Sequence, residues 1–110
     1  YEFEEDYLDI FLALTSSAPA IVSLIVEALR DGGLSGGLQK NLAEELVLEM
    51  MLGTVLLLKD KTISTNDLKN MVTSPGGTTI SALRVLEKKS FRSALIESII
   101  EATKKSKEFR

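Results

Sequence analysis

The residues best suited to chemistry are Thr73-Ser74-Pro75-Gly76-Gly77-Thr78-Thr79-Ile80, which lie between two helical patterns. Together they have the makings of a small anion site at a helix start. Pro75 has a fixed φ and no N–H, so the preceding helix should end near Ser74. Gly76 and Gly77 can take positive φ and let a ligand approach the backbone. Thr78 and Thr79 can cap the next helix and also offer hydroxyls. The first N–H groups of that helix lack intrahelical partners, and its dipole favours negative charge there. On these residues alone, a plain loop with good capping is the competing interpretation.

Other chemistries are poorly served. The chain has no His and no Cys. That removes the usual general base, the commonest metal ligand, thiol chemistry and disulfides, so no metal site is expected. Ser74 has no His to activate it. Glu4-Glu5 and Glu44-Glu45 are adjacent pairs, which point in different directions on a helix and make poor carboxylate dyads. Gly32-Gly33 and Gly36-Gly37 follow a helical pattern rather than a strand. They do not form a strand–G-x-G-x-x-G–helix dinucleotide unit, and no Walker A sequence is present.

The net charge of −3, with 13 basic and 16 acidic residues, offers nothing to nucleic acid. Acidic residues gather at the start, Glu2 to Asp9, and basic ones at the end, Lys104 to Arg110. Helix-dipole complementarity and solvated ends explain that distribution. The apolar run over residues 46–58 carries Glu49 and Gly53 and falls short of the roughly 20 residues needed to span a bilayer. With no signal-peptide pattern, a soluble, cytoplasmic protein without a membrane partner is expected. A chain of 110 residues beginning at Tyr1 reads as one domain, a fragment of something larger.

Strand signals are nearly absent, and apolar residues recur at three and four. The fold class expected is all-α, with about six helices. The first covers residues 6–14, with Leu8, Phe11 and Leu12 inward. A break at Thr15-Ser16-Ser17 precedes a second helix over residues 19–30, apolar almost all round and so deeply buried. Asp31-Gly32-Gly33 should end it. The third and longest spans residues 39–58, with too many apolar positions to pack on one side only, and Gly53 in its middle marks a close helix crossing or a tolerated glycine. A short helix over 64–71 has Ser64 and Asp67 spaced like a capping box. The last two cover 78–88 and 91–107, with Ser90 as N-cap and Phe91, Leu95, Ile99 and Ala102 inward.

The run from Leu68 through Ser74-Pro75-Gly76-Gly77-Thr78-Thr79 to Leu86-Glu87 closely resembles the signature of the pyrroline-5-carboxylate reductases. The similarity continues through Phe91-Arg92-Ser93-Ala94-Leu95-Ile96 to Ser106-Lys107-Glu108. Upstream it takes in Ala28-Leu29, Asp31-Gly32-Gly33 and Gly37-Leu38, and more loosely Leu14-Thr15-Ser16-Ser17-Ala18-Pro19-Ala20.

The resemblance implies that residues 1–110 are the C-terminal helical domain that dimerises and binds substrate. The N-terminal Rossmann domain for NADP or NAD is not within this chain. It implies an intertwined homodimer, often assembled as a decamer of five dimers. The implied reaction is reduction of 1-pyrroline-5-carboxylate to L-proline. Substrate binding then falls to Ser74, Gly76, Gly77, Thr78 and Thr79. The Thr79 hydroxyl faces the imine nitrogen as the catalytic residue, and Ser16 and Ser17 lie near the nicotinamide. The fragment alone would bind no cofactor tightly. Two departures stand out. The family's L-S-G-S-G-P-A loses both glycines, at Ser16 and Ala18, and its K-D-M-V becomes Lys69-Asn70-Met71-Val72. A paralogue acting on a related cyclic imine, or a non-catalytic oligomerisation module, is the alternative.

Overall fold

The computed structural model describes residues 7–73 and 77–109, and all regular structure among them is helical. In chain order the elements are α1 (Leu8–Leu12), a π-helical segment (Ala13–Ser17), α2 (Ala18–Ser35), α3 (Lys40–Lys59), α4 (Thr65–Thr73), α5 (Gly77–Lys88) and α6 (Phe91–Glu108). Of the residues expected to bind substrate, Ser74 and Gly76 lie outside the described residues.

The break expected at residues 15–17 does not occur. α1, the π segment and α2 form one continuous helix of 28 residues, Leu8–Ser35. An α-helical Pro19 would press its ring on the carbonyl four residues back. The wider π turn just before it absorbs that conflict, with the Ala18 N–H donating to the Ala13 carbonyl, five residues back.

The helices group into two compact units: Tyr1–Ser23 with Arg84–Arg110, and Leu24–Leu83. In the first, α1 and the π segment pack on α6. Leu8, Phe11 and Leu12 are half-buried against it, as are Leu95, Ile99 and Ala102 of α6, whereas Phe91 stays exposed. Asp9 is not a solvated end residue. It is 0% exposed, as Ala13 one turn on is 1% exposed. The Ser106 hydroxyl donates to Asp9 Oδ1 at 2.6 Å. Ser90 occupies the N-cap position of α6 as expected, its carbonyl accepting the Ala94 N–H at 2.9 Å, but its hydroxyl makes no cap bond. With φ 61 it is left-handed, and its N–H closes the end of α5 on the Glu87 carbonyl at 3.1 Å.

In the second unit α2 runs past Gly32-Gly33 and stops at Ser35. Gly37 has φ +104. Its N–H reaches the Leu34 carbonyl at 2.9 Å, and the Leu38 N–H reaches that of Gly33 at 3.2 Å. This paired closure requires a left-handed residue at Gly37. Gly33 serves a different purpose: a Cβ there would come within 3.3 Å of the Cβ of Ala43, which is 2% exposed. The missing side chain lets the start of α3 close on α2. Ser64 caps α4 as its spacing predicts, its Oγ accepting the Asp67 N–H at 3.1 Å.

Deep burial of α2 is not found within the chain. None of its residues is buried, and Val22, Leu24 and Leu29 are exposed. α3 shows a half-buried stripe of Val47, Met51, Thr54 and Leu58, while Leu42, Leu46, Leu48, Met50, Leu52, Val55, Leu56 and Leu57 are exposed. A Cβ at Gly53 would touch nothing within 4 Å, so among the described residues no helix crosses there. The continuous helix Leu8–Ser35 is long and apolar enough to cross a membrane by length and composition, which the run at 46–58 is not. A core or interface helix passes the same test.

Gly37→Ala should destabilise the assembled protein by about 1–2 kcal/mol, the cost of a left-handed β-carbon, in an equilibrium denaturation. Gly36→Ala, where φ is not left-handed, should cost much less.

Candidate functional site

Two groups of residues carry the expected chemistry, and they fall in different compact units. The first is the start of α5. That helix begins at Gly77, so Thr78 and Thr79 occupy its first turn rather than the capping position ahead of it. The amides of Gly77, Thr78 and Thr79 are thus among those with no carbonyl one turn back. Gly77 and Thr78 are exposed and Thr79 is half-buried. A β-carbon at Gly77 would meet nothing within 4 Å. Among the described residues nothing closes that side of the first turn, where the helix dipole favours a small anion.

The second group is the π segment. Such single-turn widenings recur at functional sites because they offset the side chains that follow. The Thr15 hydroxyl turns back to the Phe11 carbonyl at 2.8 Å. The side chains of Ser16 and Ser17 are exposed, and among the described residues their hydroxyls make no hydrogen bond. Both remain available to a ligand.

Arg30 was not singled out by sequence. Its Nε lies 3.1 Å from Asp31 Oδ1 and its Nη1 3.1 Å from Glu44 Oε1, tying the last turns of α2 to the second turn of α3. The Asp31 hydrogen bond holds the guanidinium above its usual pKa, partial burial opposes that, and Glu44 adds to it. Glu44 is therefore a structural ion-pair partner rather than half of a dyad. Asp9 was also missed as a core residue, since Ser106 stands 97 positions away and no local spacing announces the pair.

The glycines at 32, 33, 36 and 37 end a helix and ease a helix contact. They follow a helix rather than a strand, so they are not the strand–turn–helix unit that cradles a dinucleotide.

An all-α chain whose longest helices keep apolar faces open is the architecture of a self-association domain. The chain belongs to the pyrroline-5-carboxylate reductase dimerisation family, whose model matches residues 5–109. It is 44% identical over 107 residues to the pyrroline-5-carboxylate reductase of Synechocystis, covering 97% of this chain and 40% of that protein. To the soybean enzyme it is 39% identical over 108 residues, 98% of this chain and 39% of that one. Among solved structures, a Plasmodium falciparum pyrroline carboxylate reductase with NADP bound superposes with a TM-score of 0.93 at 36% identity, covering 98% of this chain and 41% of that chain. The Streptococcus pyogenes 1-pyrroline-5-carboxylate reductase gives 0.94 at 33%, over 98% and 42%. The chain thus spans about two-fifths of the length of these relatives.

Gly77→Val should preserve the fold, because its side chain enters empty space within the chain. It should block a carboxylate from the first amides of α5. An unchanged melting temperature with a Kd for a small carboxylate ligand raised about tenfold or more is expected, equivalent to the loss of one charge-assisted hydrogen bond. An unchanged Kd would mean that no ligand uses those amides.

Proposed function

We propose that this chain is the dimerising and substrate-binding part of a pyrroline-5-carboxylate reductase, which reduces 1-pyrroline-5-carboxylate to L-proline with NADPH or NADH in the last step of proline synthesis. The observation that carries this reading is the match over residues 5–109. Relatives of that name at 39–44% identity support it.

In this reading a Rossmann domain outside these 110 residues holds the nicotinamide cofactor, whose contribution is the hydride. The present chain orients the acceptor. The substrate carboxylate sits at the start of α5, on the amides of Gly77 and Thr78 with Ser74 and Gly76 alongside. Converging N–H donors at a helix start suit an anion that has no arginine beside it. The Thr79 hydroxyl hydrogen-bonds the imine nitrogen as the catalytic group. That contact strengthens as charge shifts onto nitrogen in the transition state. Ser16 and Ser17 lie by the nicotinamide. Positioning, rather than acid–base chemistry, is the main contribution of a chain without His or Cys.

Self-association covers the open apolar faces. The chain exposes 8753 Å² at a mass of 12.0 kDa, a mass at which a self-contained folded chain exposes about 6,000 Å². The excess is in the range that obligate homodimers bury. In this reading the protein is a cytoplasmic homodimer, assembled further as a decamer, with no nucleic-acid or membrane partner. The fragment alone neither binds cofactor tightly nor turns over substrate.

Ser16 and Ala18, in place of the family's two glycines, favour a second reading: a paralogue for a related cyclic imine whose pocket two added β-carbons have reshaped.

With the full-length enzyme, Thr79→Val should lower kcat more than it raises KM, by the equivalent of about 1.5–3 kcal/mol, while Thr79→Ser keeps most activity. Full activity in Thr79→Val would remove the hydroxyl from the mechanism. Ser16→Gly with Ala18→Gly should cost up to about 2 kcal/mol of helix stability. If pyrroline-5-carboxylate is the native substrate, that pair should not raise kcat/KM. A gain above tenfold, the equivalent of about 1.4 kcal/mol, would favour the paralogue.

A further inference from the structure

We propose that Asp9 is a positioning residue: its buried carboxylate, held by Ser106 of α6, sets the register of the π segment and hence the placement of Ser16 and Ser17. The inference rests on the reading above that this turn lies by the nicotinamide.

Among the described residues only Asp9, Ala13 and Ala43 are buried. That an acidic side chain holds one of three core positions calls for a reason, because an ionised carboxylate taken from water is costly unless it is paired. Here the Ser106 hydroxyl supplies a 2.6 Å hydrogen bond, and no buried side-chain polar atom lacks a partner. An apolar side chain of similar volume would pack at least as well, since replacing a buried charged group by a packed hydrophobe is often neutral or stabilising. What the apolar alternative lacks is direction. Packing alone tolerates a slip of one helix along another, whereas a hydrogen bond between one carboxylate and one hydroxyl admits a single rotation and a single axial register.

The register fixed is that of the widened turn. Asp9 and Ala13 are one turn apart, on the same face against α6. The Ala13 N–H donates to the carbonyls of Asp9 and Ile10, and the Ala13 carbonyl accepts the π bond from Ala18. Ser106, Asp9, Ala13 and Ala18 therefore form a connected series within one compact unit, and Ser16 and Ser17 sit just ahead of its last link. A π turn is a less favourable pattern than an α turn and persists when its ends are fixed. Pro19 fixes one end by having no N–H to offer the α pattern. Asp9, through Ser106, fixes the other.

The test uses the full-length enzyme and the Ser106→Ala, Ser106→Thr and Ser98→Ala variants. Ser98 is the control, because its hydroxyl bonds only within α6, to the Leu95 carbonyl at 2.7 Å. Steady-state kinetics are read beside hydrogen–deuterium exchange in peptides spanning residues 13–18. Ser106→Ala should accelerate exchange there about tenfold and lower kcat about tenfold, with the KM for the imine little changed, as expected when a reacting group is misplaced without losing substrate contacts. Ser106→Thr should restore both, and Ser98→Ala should change neither. Unaltered exchange in Ser106→Ala would overturn the positioning role. Accelerated exchange with unaltered kinetics would overturn it differently, by showing that the turn is held by Asp9 but not used in the reaction. Equal effects from Ser98→Ala would reduce the result to general destabilisation of α6. Should Ser106→Ala not assemble, Asp9→Leu, which fills the space and loses the hydrogen-bond acceptor, must show the same exchange and kcat changes or the proposal fails.

Discussion

α3 is apolar on more sides than its own chain can cover. Over 20 residues it turns one half-buried stripe, Val47, Met51, Thr54 and Leu58, toward its own unit. Leu42, Leu46, Met50 and Leu57 remain exposed on one flank, and Leu48, Leu52 and Val55 on another. Each such side chain left in water forgoes roughly 1.5–3 kcal/mol of burial free energy, several times over. A stable folded chain ordinarily keeps only about 5–15 kcal/mol in reserve, so faces of this size demand cover. The family's dimerisation provides it. The near-absence of fully buried residues is then a property of half an interface rather than of a weak fold.

Because burial within the chain is scarce, a few directed links hold the geometry. Gly33 lets Ala43 in close, Arg30 spans Asp31 and Glu44, and Gly37 turns the chain between α2 and α3. In the other unit the Asp9–Ser106 hydrogen bond does the corresponding work for the π segment. The candidate ligand-facing groups lie on a helix start and a widened turn. At both places backbone donors or hydroxyls are released from helix pairing without an unsatisfied polar group having to be buried.

Much of this was legible in the sequence. Periodicity gave the helical class and placed the ends of α3 to α6 to within two residues. The Ser64–Asp67 spacing gave a real cap, and the run from Leu68 to Glu87 carried the family resemblance. The errors have physical causes. Thr15-Ser16-Ser17 and Pro19 look like a break because they are capping and breaking residues. A π turn reconciles them with a continuous helix, and no local rule distinguishes the two outcomes. Ser90 is the N-cap of α6 that its residue type suggests, but its left-handed backbone also ends α5 and its hydroxyl makes no cap bond. Gly32-Gly33 looked like a stop, yet the stop needed positive φ and lay at Gly37. Asp9 looked solvated because its partner is far along the chain. The apolar girth of α2 points to deep burial, and within this chain none of its residues is buried.

The most direct measurement is sedimentation equilibrium across nanomolar to micromolar concentration, combined with the concentration dependence of the unfolding midpoint. If a second copy covers α2 and α3, the protein should sediment as a dimer or a multiple of dimers. No folded monomer should appear at micromolar concentration, and the midpoint should rise with concentration, as mass action requires of an obligate dimer. A monodisperse, cooperatively folded monomer with a concentration-independent midpoint would contradict it.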